Sequence, residues 1–165
     1  MEYDQLGRLT EVYKTINDDL AQKKLIAKNE YNELGQVNRK YLAPEFNSNA
    51  GLEQLDYDYN IRGWLNGINR GYVSDAANRY FGFELGYDKT ATAVSGTTYT
   101  NPQYNGNISG TTWKSKGDAE KRKFDYAYDN VNRITGAAFT QYTGGAFNQS
   151  AGINFNVENL AYDAN

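Results

Sequence analysis

An eight-residue pattern recurs four times in this chain of 165 residues. It reads Tyr, Asp or Asn, two variable residues, Gly or Asn, one variable residue, an aliphatic residue, and Thr or Asn. The copies begin at Tyr3, Tyr31, Tyr59 and Tyr128, and a fifth starts at Tyr162 and stops before its glycine position. The first three copies are 28 residues apart, and such a recurrence is typical of repeat architectures, in which each copy is one supersecondary unit.

The residue types in the pattern predict a β-hairpin turn. Gly and Asn are the residues that most readily adopt positive φ, so the fifth position is expected to need that conformation. An Asp or Asn side chain at the second position can accept a hydrogen bond from a backbone N–H two residues later and close the turn. We therefore assign structural turn roles to these residues: Tyr3, Asp4 and Gly7; Tyr31, Asn32 and Gly35; Tyr59, Asn60 and Gly63; and Tyr128, Asp129 and Asn132.

Alternating apolar and polar residues precede the turns, as in Leu55, Tyr57 and Tyr59, which predicts strands with one packed face that includes the motif tyrosines. The expected fold is all-β, with successive antiparallel hairpins in a single module over residues 1–165. The repeat spacing is irregular over residues 67–123, although 81–87 reads as a clear strand and 107–114 as another. The Lys- and Arg-rich segment 114–123 is expected to be a solvated connector, and residues 158–165 a truncated repeat.

The first copy, Tyr3-Asp4-Gln5-Leu6-Gly7-Arg8-Leu9, resembles the YD repeat of bacterial rearrangement-hotspot (Rhs) proteins and teneurins. The other copies depart from that consensus at Gln36, Trp64 and Asn132. The resemblance implies one long, twisted and partly spiralled sheet that forms a segment of a shell. It also implies a secreted or cell-surface protein whose shell, in bacterial members, encloses a C-terminal toxin.

The same resemblance makes the remainder of a longer repeat protein the expected partner. The prolines, Pro44 and Pro102, do not follow Asp, so the Asp-Pro self-cleavage segment of the large family members is absent from this sequence. The stop inside a repeat suggests a fragment, and its open sheet edges are expected to allow self-association. The sequence starts without a signal peptide.

Composition excludes several classes of function. The chain contains no His and no Cys, which excludes disulfides, thiolate or histidine metal sites and a Ser-His-Asp triad. A net charge of -3 argues against nucleic-acid partners, and no apolar run is long enough for membrane insertion. We expect a non-enzymatic protein without cofactor or metal. Asp56 and Asp58, the carboxylates considered as a glycosidase pair, are better explained as a solvated strand face.

Aromatic residues make up 15% of the chain and support an alternative function. Exposed rings on a sheet can stack on sugars, so Trp64 and Trp113 are candidate ligand-stacking residues for a carbohydrate- or cell-surface-binding module. Burial of these two rings would favour the structural interpretation instead.

Overall fold

A computed structural model describes residues 1–163 of the chain. The prediction of an all-β fold is confirmed: the strands form an open antiparallel sheet in which each strand follows its neighbour in chain order. The strands are β1 (Glu2–Tyr3), β2 (Leu9–Ile16), β3 (Asp19–Tyr31), β4 (Val37–Leu42), β5 (Glu53–Tyr59), β6 (Leu65–Ile68), β7 (Phe81–Gly86), β8 (Gly110–Ser115), β9 (Lys121–Tyr128), β10 (Ile134–Thr143) and β11 (Ala146–Asn148). Two single helical turns, α1 (Phe46–Asn49) and α2 (Arg70–Val73), interrupt them.

The chain divides into two compact units, one of residues Met1–Asp58 and one that begins at Tyr59. In the first unit, β1 to β5 pair as a meander of antiparallel strands. One pair of direct cross-strand neighbours carries opposite charges: Arg39 of β4 lies opposite Asp56 of β5 with Nε 3.0 Å from Oδ1. Such pairs help to fix the register of neighbouring strands.

A two-residue turn joins β2 to β3 in the first unit. Asn17 and Asp18 both have positive φ, 51° and 57°, which is the conformation of the type I′ hairpin turn. This turn type suits the right-handed twist of the flanking strands, and Asn and Asp tolerate positive φ better than most residues. Residues 19–31 consequently run back as a strand beside β2.

The buried core lies in the second unit. Its buried apolar side chains are Tyr72, Val73, Tyr87, Val94, Tyr99, Ala137 and Phe139. Most of these lie outside the repeated turns, on α2 and on the long connection between β7 and β8, as well as on β10. The unit is therefore stabilised by segments that lie against the sheet as well as by the sheet itself.

Residues 67–123 are irregular in repeat spacing, and they contain the complete strands β7 and β8. β7 pairs with β8 over six residue pairs, from Phe81 opposite Ser115 to Gly86 opposite Gly110. The strand predicted at 81–87 is thus present as Phe81–Gly86, and the one predicted at 107–114 as Gly110–Ser115.

The segment 114–123 corrects the sequence prediction. Residues 116–119 are an exposed connection between β8 and β9, but the two ends of the segment are not solvated, because Lys114 belongs to β8 and Lys123 to β9, and both are buried with 9% and 6% exposure. Opposite charges explain this burial, since the Nζ of Lys114 lies 2.5 Å from Asp75 and the Nζ of Lys123 lies 2.7 Å from Asp125.

Candidate functional site

The repeated turns share one backbone geometry. The fifth residue has positive φ in all four copies: 75° at Gly7, 78° at Gly35, 78° at Gly63 and 66° at Asn132. The expectation of positive φ at these positions therefore agrees with the observed backbone. A Cβ at Gly7 would meet no atom within 4 Å, so the preference for glycine there comes from the dihedral angle and not from lack of space.

The side chain at the second position closes each turn. One oxygen, Oδ1, accepts hydrogen bonds from the backbone N–H groups two and four residues later. The donor pairs are Leu6 and Arg8 to Asp4, Leu34 and Gln36 to Asn32, Arg62 and Trp64 to Asn60, and Val131 and Arg133 to Asp129, all at 2.9–3.0 Å. The backbone N–H of Arg8 lowers the pKa of the Asp4 carboxyl, and that of Arg133 lowers the pKa of Asp129.

In three of the four copies, the side chains at the second and sixth positions bind each other. Asp4 forms an ion pair with Arg8, with Oδ2 2.6 Å from Nε, and Asp129 pairs in the same way with Arg133 at 2.7 Å. Where the second position is Asn32, the sixth is Gln36, and the Nδ2 of Asn32 donates to its Oε1 at 3.1 Å. An acidic second residue thus has a cationic partner and Asn32 an amide partner, whereas Asn60 of the third copy has Trp64 at the sixth position.

The motif tyrosine joins one hairpin to the one before it. The hydroxyl of Tyr31 donates to the carbonyl oxygen of Leu9, the seventh residue of the first copy, at 2.7 Å. The hydroxyl of Tyr162 donates to the carbonyl of Ile134, the seventh residue of the fourth copy, also at 2.7 Å. Residues 164 and 165 of the truncated copy lie outside the described part of the chain.

Two further tyrosines make the same type of bond. Tyr87, in a segment that begins like a copy but lacks its glycine, donates to the carbonyl of Leu65 at 3.0 Å. Tyr128 donates to the carbonyl of Ile108 at 2.8 Å. Burial raises the pKa of both hydroxyls, so both remain protonated donors at neutral pH.

The sixth residue of a copy lies over the tyrosine of the following copy. The guanidinium of Arg8 is 4.6 Å from the ring centroid of Tyr31, and that of Arg133 is 4.5 Å from the ring of Tyr162. These are cation–π contacts, and the same guanidinium groups hold the turn aspartates. Each such copy therefore contacts the next through a carbonyl oxygen and a planar cation.

Trp64 occupies this sixth position in the third copy, where it is half-buried and packs against other side chains. Its ring lies 5.3 Å from that of Tyr87, while the guanidinium of Arg62 lies over it at 5.1 Å. A Cβ added to Gly106 would come within 3.2 Å of the Trp64 ring, so the connection between β7 and β8 also lies against it. Trp64 thus takes the structural place that Arg8 and Arg133 take in other copies.

Trp113 belongs to a row of aromatic side chains on one face of the second unit. Its ring is stacked at 5.4 Å on Phe124, which meets Phe139 edge-on at the same distance. Phe155 in turn packs edge-on against Phe139 at 5.1 Å. Trp64 and Trp113 are both half-buried, and the structure does not bring them together in the cleft described below.

The opposite face of the second unit carries an ion pair whose carboxylate is buried. Glu84 of β7 is 2% exposed, and its Oε2 accepts from Nε and Nη2 of Arg70 at 2.9 and 2.7 Å. The other oxygen accepts from the backbone N–H of Ala93 at 2.9 Å and the hydroxyl of Tyr99 at 3.2 Å. Desolvation raises the pKa of Tyr99, whose hydroxyl also meets Thr112 at 2.9 Å. This network attaches the connection between β7 and β8 to the sheet.

An open cleft of about 330 Å³ lies beside this ion pair. One wall is the turn of the third copy, with Tyr59, Arg62 and Asn66, and the other is the end of β7 with Asp88 and Lys89. Arg70 and Glu84 lie at the inner end. No sequence pattern predicted this cleft, because its walls come from a repeat turn and from a segment that lacks the repeat.

Carboxylates are the candidate ligands of a metal site and, at Asp56 and Asp58, the candidate pair of a glycosidase. Residues 1–163 contain no group of three or more acidic side chains that could hold a metal ion. The Oδ1 of Asp56 accepts from Arg39 and, at 2.7 Å, from Gln54, as befits a paired surface carboxylate. No helix among the described residues is long and apolar enough to cross a membrane.

Comparison of the chain with models of known protein families and with curated proteins finds no match.

Proposed function

We propose that this chain is a non-enzymatic structural segment of a larger YD-repeat protein of the Rhs type, secreted or at the cell surface. The observation that supports the proposal most strongly is the bond from a motif tyrosine to the carbonyl of the preceding copy. Tyr31 and Leu9 are 22 residues apart in sequence, and Tyr162 and Ile134 are 28 apart. The recurring residues thus serve to connect consecutive hairpins.

The other recurring positions also have structural partners. The second residue caps its own turn, the fifth supplies positive φ, and the sixth contacts the next tyrosine where Arg8 and Arg133 stand. A pattern whose members all bind within the sheet suits a scaffold that is extended copy by copy. In the proposed parent protein such copies form the wall of a shell around a C-terminal toxin.

Imaging of the protein encoded by the complete gene tests this proposal. We expect electron microscopy to show a hollow β-walled particle in which this segment forms part of the wall. Cell fractionation should place the protein in the medium or on the cell surface. A solid particle, or a protein retained in the cytoplasm, would contradict the proposal.

Carbohydrate binding through Trp64 and Trp113 is the alternative function. It predicts that a neutral oligosaccharide binds the chain and that Trp113→Ala abolishes the binding. The scaffold proposal predicts no such binding and a loss of stability instead, because the Trp113 ring is stacked on Phe124. Glycan-array binding and urea unfolding of this variant separate the two.

A further inference from the structure

The cleft beside the turn of the third copy has the composition of a binding site. Its volume of about 330 Å³ is at the small end of the range for ligand pockets. Its walls combine the half-buried ring of Tyr59 with charged and amide side chains. Every residue of this lining belongs to the second unit of the chain.

The charges of the cleft fall into an inner and an outer pair. Inside, the carboxylate of Glu84 is neutralised by the two hydrogen bonds from Arg70. At the mouth, Arg62 and Asp88 are only loosely paired, with Nη1 3.9 Å from Oδ2, and both are more than a third exposed. Lys89 is exposed and has no hydrogen bond or ion pair to the described residues. The mouth therefore carries two cations and one anion.

This combination selects one chemical class of ligand. An inorganic anion would meet Lys89 and Arg62 favourably, but Asp88 would repel it. A neutral sugar could donate hydroxyl hydrogens to Asp88, but it would have no negative charge to pair with Lys89. A sugar acid has both a carboxylate for the cations and hydroxyl donors for Asp88.

We propose that this cleft binds a carboxylate-bearing monosaccharide unit, of the uronic acid type. The carboxylate lies between Lys89 and Arg62, and a ring hydroxyl donates to Asp88. The amide of Asn66, which has no hydrogen bond to the described residues, offers a donor and an acceptor to the other hydroxyls. The proposal concerns residues different from the two tryptophans and does not depend on the scaffold function.

Saturation-transfer NMR and calorimetric titration with glucuronate test the proposal, with glucose and inorganic phosphate as comparison probes. We expect glucuronate to bind with a Kd on the order of 1 mM, which suits a ligand of this size. Glucose and phosphate should each bind more weakly than glucuronate, by about threefold or more, because each satisfies only part of the site. Equal affinity for glucose, or no detectable glucuronate binding, would overturn the proposal.

Two substitutions with opposite charge changes identify the site. Lys89→Gln should weaken glucuronate binding about threefold or more and leave glucose binding unchanged. Asp88→Asn should weaken glucuronate binding but strengthen phosphate binding, since it replaces a charged hydroxyl acceptor with a weaker neutral one and removes a repulsive charge. Lys24→Gln, at an exposed lysine of β3 in the other unit, is the matched control.

Circular dichroism and the urea midpoint of each variant show whether it is folded. Glucuronate binding that is the same in Lys89→Gln and Lys24→Gln places the ligand elsewhere and overturns the proposal. Stronger glucuronate binding by Asp88→Asn would show an unspecific anion site and would also overturn it.

Discussion

The hydroxyl of Tyr31, the first residue of the second copy, lies 2.7 Å from the carbonyl oxygen of Leu9, the seventh residue of the first copy. The ring of Tyr31 also receives the guanidinium of Arg8, the residue just before Leu9. One side chain thus binds the preceding copy through both its polar tip and its ring face. A tyrosine can make both contacts because its ring is apolar while its hydroxyl still finds a hydrogen-bond partner.

Tyr31→Phe should destabilise the protein by about 0.5–1.5 kcal/mol, because it removes this hydrogen bond and keeps the ring under Arg8. The change in the free energy of unfolding is measured by urea titration. Tyr3→Phe is the matched control, since Tyr3 is 59% exposed and its hydroxyl contacts only the sulfur of Met1, at 3.7 Å. Equal losses from the two substitutions would show that the bond to Leu9 contributes nothing.

Gly35→Val should destabilise the protein by about 1–3 kcal/mol, because φ is 78° and a β-branched residue is strained there. Gly35→Asn should cost clearly less, since Asn132 already holds φ 66° in the fourth copy. Space is not the cause, because the nearest atom to an added Cβ is Nη1 of Arg8 at an ordinary 3.6 Å. The urea midpoints of both variants measure the two losses of stability. Identical midpoints would rule out backbone strain at this dihedral angle.

Arg70→Met should destabilise the second unit by about 3–5 kcal/mol, because it leaves the carboxylate of Glu84 buried without its cation. Adding Glu84→Gln should restore much of this loss, since the amide has no charge and still offers an oxygen to the N–H of Ala93. Chemical denaturation of the single and double variants gives the coupling energy. If the two losses simply add, the pair does not act as a unit.

Much of the fold could be predicted from local chemistry. Positive φ was predicted at the fifth position of each copy because few residues other than Gly and Asn adopt it, and it is present at Gly7, Gly35, Gly63 and Asn132. The strand at 81–87 was predicted from the strict alternation of Phe and Leu with small or polar residues. The alternation also assigned the motif tyrosines to a packed face; Tyr31 and Tyr128 are half-buried, whereas Tyr3 is 59% exposed. These features depend on residues close together in sequence.

Other features depend on distant segments and left no local signal. Tyr99 stands in a small, polar stretch that reads as a loop, yet it is 2% exposed because that loop lies across β7 and β8. Lys123 likewise reads as solvated until Asp125 and the carbonyl of Thr98, 2.7 Å away, are placed around its ammonium group. The turn at Asn17 and Asp18 had a signal, two residues tolerant of positive φ between strands, but sequence reasoning missed it.

The turn aspartates should make stability fall in acid. Hydrogen bonds from backbone N–H groups hold the pKa of Asp4 and Asp129 in the folded protein below the ordinary value of 3.8. Their contribution is therefore present above pH 3.8 and is lost as the pH falls through their folded pKa. The urea midpoint, measured between pH 6 and pH 2, should decrease over the acid part of this range.

Asp4→Asn together with Asp129→Asn should make that decrease smaller, because Asn32 and Asn60 close the same turn without ionising. Some decrease should remain, since Lys114 and Lys121 also lower the pKa of Asp75. Asp18→Asn, at an exposed aspartate with no hydrogen bond to the described residues, is the control for losing a carboxylate. An unchanged acid profile in the double variant would show that the turn carboxylates do not cause it.

Exchange at Trp64 tests whether this residue is structural or ligand-binding. Trp64→Arg should cost less than about 1 kcal/mol, because a guanidinium can lie over the ring of Tyr87 as Arg8 lies over Tyr31. Trp64→Ser should cost about 1–3 kcal/mol, since it removes the aromatic pair and uncovers Gly106 and Tyr87. The free energy of unfolding from urea titration distinguishes the two variants. If Trp64→Ser is as stable as the parent protein, the ring does not hold consecutive hairpins together, and the structural role assigned to the sixth position fails in this copy.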